Sequence, residues 1–508
     1  MPIVGVERGT LIGAGSSVRI TDGFHATKIV GRLRQRSAML QARQDALRKL
    51  PAVDALLQEP TLQELMQRLG RRIVVEGVRQ GLAQAREDLR EETGEAPTEE
   101  GLRQRVLAEA RRRIKGMAGP HYRKVINATG VILHTALGRA VLPRRALRQM
   151  EQELAGYSLL QMDLASGERS RRDERIEWLA GQLTGAEAAT VVNNNAAATA
   201  IVLNTVAAGK EVIVSRGQLV EIGGSFRLPE VMTACGTRLV EVGTTNRTHP
   251  QDYERAITAN TAALMRVHPS NYRIRGFTAE VPLGELGRMA QAHGLVLIDD
   301  AGAGALVDLA RWGFGDEPTL AQSIRAGADV VTCSTDKLIG GPQGGLILGK
   351  KALIAAIRKN PLARIVRMDK LRLAALEATL ALFLDEDLAL AEVPTLAMLR
   401  RSGADLAEQA NRVAAALKEK GVAAEVNAVD GASQMGSGSL PTEDLPTKLV
   451  AVRPGRMSVD DLAQRLRLGQ PPIITRIQDD GVMIDPRTLQ EGEEAMVIEA
   501  LAVLLGRG

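Results

Sequence analysis

The 508-residue chain reads as an α/β protein: a mostly parallel seven-stranded sheet with crossover helices, a helical domain before it and a small α+β domain after it. Three observations carry this reading. Short β-branched apolar runs alternate with helix-length segments across residues 121–370. From Leu50 to Lys115 the apolar residues instead recur at helical spacing. Beyond about residue 400, helical stripes and strands mix, with a hairpin signal at Asp479-Asp480-Gly481.

Taken in order, residues 1–45 lack periodicity and read as a basic, mobile arm or as sequence ahead of the natural start. Residues 46–120 form a helical domain. Leu50, Val53 and Leu57 share a face, and Thr61-x-x-Glu64 has the form of a capping box. It opens a helix with Leu62, Leu65, Met66, Leu69 and Ile73 on one stripe. Glu91–Glu100 is a connection, and Leu102–Lys115 is helical again. The region 121–395 holds seven candidate strands: Ala189–Val192, Val212–Val214, Leu239–Val242, Ala263–Val267, Leu295–Ile298, Ala328–Val331 and Leu346–Leu348. In residues 396–508, Leu406, Ala410, Val413 and Leu417 make a helical stripe stopped at Gly421. Leu449–Val452 is a strand, Ser458-x-x-Asp461 opens a helix, Ile473–Ile477 and Val482–Ile484 flank the hairpin turn, and Leu489–Leu505 is the closing helix.

Composition narrows the function classes. Aromatics are 2% of residues, so base stacking on single strands is not a main device. Cys235 and Cys333 are too few for a disulfide framework and fit a reducing cytosol. No apolar run approaches the ~18 residues of a membrane span, and the first residues lack a signal-peptide pattern. The net charge is only +5, but the basic excess is local. Residues 25–49 hold seven Lys/Arg against Asp45 alone, and residues 110–124 hold six against no acid. The latter, with Arg111-Arg112-Arg113, reads either as a solvated helix face or as a surface for nucleic-acid phosphates.

The chemistry centres on Thr332-Cys-Ser334-Thr-Asp336-Lys337-Leu-Ile-Gly-Gly-Pro-Gln-Gly-Gly345. A lysine where a strand meets a glycine-rich turn sits on rigid scaffold, as a Schiff-base lysine for pyridoxal 5′-phosphate (PLP) requires. Taken alone, Lys337 would equally be an ordinary lysine on a surface-facing turn. Ser334 is placed to bond the cofactor phosphate. Asn193-Asn194-Asn195 follows the first strand and leads into the helix Ala196–Ala208, whose free N–H groups suit a phosphate. The Asp299-Asp300 pair ends the fifth strand, where a carboxylate can hold the pyridine nitrogen protonated or where the Asp/Gly-rich stretch simply makes a turn.

Several long motifs resemble one family, bacterial selenocysteine synthase, the L-seryl-tRNA(Sec) selenium transferases. They are Ile126–Ala140 (INATGVILHTALGRA), Val191–Ala198, Gly209–Arg227, Glu241–His249 and Pro361–Lys370, and the resemblance covers about residues 46–508. It implies fold type I, with Lys337 as the PLP lysine and Asp300 as the partner of the pyridine nitrogen. It also implies that Arg139, Arg364 and Arg367 receive selenophosphate, which suits three guanidinium groups facing a small anion. The helical domain would grip serine-charged tRNA(Sec). The enzyme would be a cytoplasmic homo-oligomer of dimers, assembled into a decameric ring. Positions that depart from the family pattern include Ala136, Ala303 and Thr335, which stand where the family has Asn, Ser and Gly. The two alanines each lose a polar group near the expected site. Two rival readings use the same residues: a PLP-dependent β-eliminating lyase or ammonia-lyase on a small phosphorylated amino acid, and a non-catalytic tRNA-binding relative. The basic helical domain argues against the first, and retention of Lys337, Asp300 and the three arginines against the second.

Overall fold

The computed structural model describes residues 44–91, 97–223, 226–269, 271–314, 317–440 and 444–506. The basic arm expected over 1–45 lies outside these but for its last two residues. The chain divides into two compact units at Arg123/Lys124.

In the first unit, a short helix at Val53–Leu56 precedes α1 (Pro60–Leu69), α2 (Arg71–Glu91) and α3 (Glu99–Ala118). The expected capping box at Thr61 does not form. The helix starts two residues earlier, at Pro60 after Glu59, where proline's missing N–H costs nothing. Thr61 Oγ instead accepts from Arg111 Nη2 at 2.8 Å. The stripe from Leu62 to Ile73 is not one helix either, because the chain breaks at Gly70 and Ile73 belongs to α2. Its residues still meet one core with Val74, Val78, Leu82, Val106, Ala110 and Ile114. Thr98 caps α3 by accepting from Gly101 N at 3.1 Å.

In the second unit, the chain passes through β1 (Ile126–Asn127) and β2 (Ala188–Val192), then α4 (Asn195–Ala207). There follow β3 (Glu211–Ser215), β4 (Arg238–Val242), β5 (Thr261–Val267), β6 (Val296–Gly302), β7 (Val330–Ser334) and β8 (Gly345–Gly349). All seven expected strands join one sheet in the order β2-β8-β7-β6-β5-β3-β4, with β8 antiparallel to both neighbours and the others parallel. Both faces are buried. Val191, Ile213, Leu264, Leu297 and Val331 enter one core, and their neighbours Val192, Val212, Met265, Ile298 and Val330 the other. That is why these strands read as unbroken apolar runs rather than alternating ones.

One strand limit differs in an informative way. The fifth strand was expected to stop at Ile298, but β6 runs on through Asp299 and Asp300 to Gly302. Successive side chains alternate faces, so the two aspartates find different partners. Asp299 is fully buried and takes Arg266 in a two-point pair, Nε to Oδ1 at 2.7 Å and Nη2 to Oδ2 at 3.1 Å. Removing one member of such a pair strands the other's charge, at a cost of ~3–5 kcal/mol. Asp299→Asn is therefore expected to lower unfolding free energy by about that amount in a denaturant titration. A loss under ~0.5 kcal/mol would show that Arg266 is served by water instead.

The remainder is built from α5 (Gly403–Glu419), β9 (Ala424–Gln434), β10 (Asp444–Pro454), α6 (Val459–Leu468), β11 (Ile473–Ile474), β12 (Arg476–Gln478), β13 (Gly481–Ile484) and α7 (Glu493–Leu505). The second sheet has the order β9-β10-β13-β12. Leu406, Ala410, Val413 and Leu417 are all buried on α5, and Ser458 Oγ caps α6 by accepting from Asp461 N. The closing helix begins at Glu493 rather than Leu489, because Pro486–Thr488 forms a 3-10 turn held by Asp485. The first strand, β1, does not join the large sheet. It pairs in parallel with β11, and Ile126 and Ala128 lie in the core of this smaller layer. Among the described residues, no helix is long and apolar enough to cross a membrane.

Candidate active site

The carboxyl ends of β2, β5, β6 and β7 and the amino end of β8 meet at one edge of the large sheet. There Arg139, Asn194, Asn195, Asp300, Ser334 and Lys337 line a cavity of about 220 Å³. His268, Asp336 and Gln343 also line it, and Val220, Ile222 and Phe226 supply apolar wall.

Lys337 leaves β7 on a turn tied down by its neighbours. Thr335 N donates to Gly344 O at 3.0 Å, Thr335 Oγ to Pro342 O at 2.5 Å, and Leu338 N to Ala303 O at 3.2 Å. The turn does not face the surface as expected. Lys337 is 5% exposed. Gly345, which opens β8, can carry no side chain, since a Cβ would come 2.2 Å from Asn194 O. That close approach brings the lysine turn against the start of α4. Burial pulls the Lys337 ammonium pKa below its ordinary value, and the Arg139 guanidinium pushes the same way. Asp336, Asp300 and Glu317 oppose both. The net effect favours a neutral amine, the form that bonds carbonyls and accepts protons.

Asp300 is held from three sides. Asn195 Nδ2 donates to Oδ1 at 2.9 Å, Gly302 N to Oδ1 at 3.2 Å, and Thr199 Oγ to Oδ2 at 3.0 Å. Burial raises its pKa, making it a weaker acid, despite these donors. A carboxylate so desolvated calls for a cationic partner, and the protonated ring nitrogen of PLP is one. The N-terminus of α4, capped by Asn194 Oδ1 accepting from Ala197 N at 2.9 Å, and the hydroxyl-bearing Ser334 beside it suit the phosphate. The residues present therefore fit the cofactor.

Arg139 reaches the cavity from an unusual backbone, with φ at 62°, and Nη1 donates to Asp336 Oδ2 at 2.9 Å. Arg364 and Arg367 are not brought to this cavity within the chain. They line a second one of about 380 Å³ with Arg169 and Arg172. Arg364 is on the short helix Leu362–Ile365, and Arg367 lies beyond its end. Asn193 is likewise not on the first cavity wall. Its N–H donates to Val366 O at 2.8 Å, joining the end of β2 to the segment that carries Arg367. Sequence reasoning missed Thr199, four residues after Asn195 and so on the same helix face, and Asp336 as the partner of Arg139. The departures at Ala136, Ala303 and Thr335 fall outside the cavity wall. Ala303 is packed in the core, Ala136 is exposed, and Thr335 Oγ is spent on Pro342 O.

A buried lysine and a buried aspartate meeting at the strand ends of this sheet define a PLP-dependent enzyme of fold type I. The fold is shared with D-glucosaminate-6-phosphate ammonia-lyase, with a TM-score of 0.54 and 22% identity over 78% of this chain and 99% of that one. The profile described as L-seryl-tRNA selenium transferase matches residues 125–490, and that of the selenocysteine synthase N terminal matches residues 47–86. The L-seryl-tRNA(Sec) selenium transferase of Solidesulfovibrio magneticus is 50% identical over 90% of this chain and 98% of its own length. That of Nitratidesulfovibrio vulgaris is 47% identical over 90% and 99%. The chain belongs to the L-seryl-tRNA selenium transferase family.

Proposed function

We propose that the chain converts L-seryl-tRNA(Sec) to L-selenocysteinyl-tRNA(Sec), with selenophosphate as selenium donor and PLP held on Lys337. The observation that supports this best is Lys337, buried in one cavity with Asp300 and Arg139. Bound there, PLP supplies an electron sink for the pair left when Cα loses its proton. Asp300 would hold the ring nitrogen in its protonated form. Lys337, freed when the seryl amine takes its place and with burial working against its charged form, would take the Cα proton and deliver it to the departing seryl hydroxyl, which leaves as water. Arg139 and, on this reading, Arg364 and Arg367 hold the selenium donor; water takes the phosphoryl group as the P–Se bond breaks, and selenium bonds to Cβ. Asn194, Asn195 and Ser334 anchor the cofactor phosphate, and Asn193 positions the Val366–Arg367 segment. In an assembly of dimers forming a ring, the second cavity's arginines would serve a site shared between copies. Incubating the purified protein with seryl-tRNA(Sec) and selenophosphate should yield a selenocysteinyl group on the tRNA. Turnover of a free amino acid with no tRNA requirement would favour the lyase reading instead.

The helical unit is proposed to grip the tRNA through α3. Glu109 tempers the charge of this surface, because it pairs with both Arg112 Nη2 and Arg113 Nε at 2.6 Å. Arg111 donates instead to the neutral Thr61 hydroxyl and is exposed. Replacing Arg111, Arg112 and Arg113 with Gln should weaken tRNA binding. It should also make its salt dependence shallower by about one to two units, at ~0.7–0.9 for each phosphate no longer neutralised. Equal slopes for the two proteins would take this cluster out of the interface.

A further inference from the structure

We propose that Ser437 is a positioning residue for Arg139, acting through a clamp that joins the tip of the second sheet to the turn carrying that arginine. The inference rests on the reading of Arg139 as a receiver of the anionic selenium donor.

The connection is a chain of short contacts. At the end of β9, Gln434 O accepts from Ile132 N at 2.9 Å, and just past it Met435 O accepts from Leu133 N at 2.7 Å. Ser437 Oγ then donates to Leu133 O at 2.5 Å. With that proton committed, Thr135 Oγ donates to Ser437 Oγ at 3.0 Å. Thr135 opens the 3-10 turn Thr135–Leu137, which returns through Gly138 to Arg139, and Arg139 N donates to His134 O at 3.1 Å. Arg139 then spans to Asp336, next to Lys337. Gly436 makes the approach possible, because a Cβ there would lie 2.6 Å from Val131 Cγ1 and 3.1 Å from Leu133 O.

The backbone gives an independent sign. Among the described residues, five other than glycine have positive φ, and three of them are Arg139 at 62°, Ser437 at 51° and Leu440 at 49°. Two of the three lie in the loop that holds the turn of the third. Strained residues persist where their surroundings over-determine them. Ser437 is neither exposed nor on the cavity wall, so it reaches the chemistry only through the turn.

The test is a double-mutant cycle on the PLP-loaded protein with thiophosphate as probe, its dissociation constant measured by calorimetry without turnover. Ser437→Ala and Ser437→Gly should each weaken thiophosphate about tenfold, at ~1.4 kcal/mol per decade. Neither should matter in the Arg139→Ala background. Ser437→Asn, which tolerates a left-handed backbone and can both donate and accept, should restore binding. Equal losses in both backgrounds, or glycine binding like the parent, would overturn the clamp. A parent that holds no thiophosphate would instead sink the donor reading of Arg139. The clamp is then decided by the crystal structure of Ser437→Ala: Arg139 displaced from Asp336 supports it, and an unmoved Arg139 refutes it.

Discussion

Lys337→Ala should abolish the visible absorbance of the lysine-bound cofactor and lower selenium transfer by at least ~10³-fold. General base catalysis alone contributes ~10²–10⁴, and the lost covalent anchor adds to it. The fold should survive, for a reason other than the surface exposure that the sequence suggested. Lys337 is buried, and burial works against its charged form, so removing the ammonium removes a desolvation cost along with its contacts. The turn's own bonds, Thr335 to Gly344 and Pro342, do not involve the lysine side chain. Thermal unfolding and borohydride trapping together check the result. A variant that still yields a borohydride-fixed cofactor would place the attachment on another lysine.

Asp300→Asn should leave the cofactor attached but cut turnover by ~10²–10³-fold. Loss of one partner from a buried charge pair costs ~3–5 kcal/mol, and each ~1.4 kcal/mol is a decade in rate. Asparagine preserves the shape and can still accept from Asn195, so the deficit isolates the charge. The same substitution should act oppositely on the cofactor-free protein. Burial raises the Asp300 pKa, so the folded state prefers the neutral acid. That preference is fully present below the ordinary carboxylate range and is lost as pH rises through the raised value. The cofactor-free parent should therefore lose stability over that span while the Asn variant does not. Parallel stability profiles for the two would show that Asp300 is not strained by its site.

The large sheet was legible because its strands are buried on both faces and need little but apolar, β-branched residues. Lys337, Asp300, Ser334, Asn194 and Asn195 could be found because strand ends are where such a sheet exposes polar groups. What the sequence concealed was non-local. Thr61 has the form of a cap, but Pro60 beside it is the better helix start, and Thr61 is claimed by Arg111 fifty residues away. The exposure of Lys337 depends on how Gly345 lets β8 approach Asn194, which no local pattern encodes. Arg364 and Arg367 stand in a motif with Arg139 only by resemblance, and within one chain the fold assigns them to another cavity.

The pairing of β1 with β11 has a consequence for how the protein is made. Ile126 and Ile473 are partners in that pairing, yet about 350 residues of chain separate them. At synthesis rates of ~5–20 residues per second, β1 leaves the ribosome on the order of half a minute before its partner exists. During that interval Ile126 and Ala128, both fully buried at the end, have nothing to cover them. The smaller layer is thus the last part of the second unit that can close, and a nascent chain stalled short of residue 473 would carry an uncovered apolar strand within reach of chaperones.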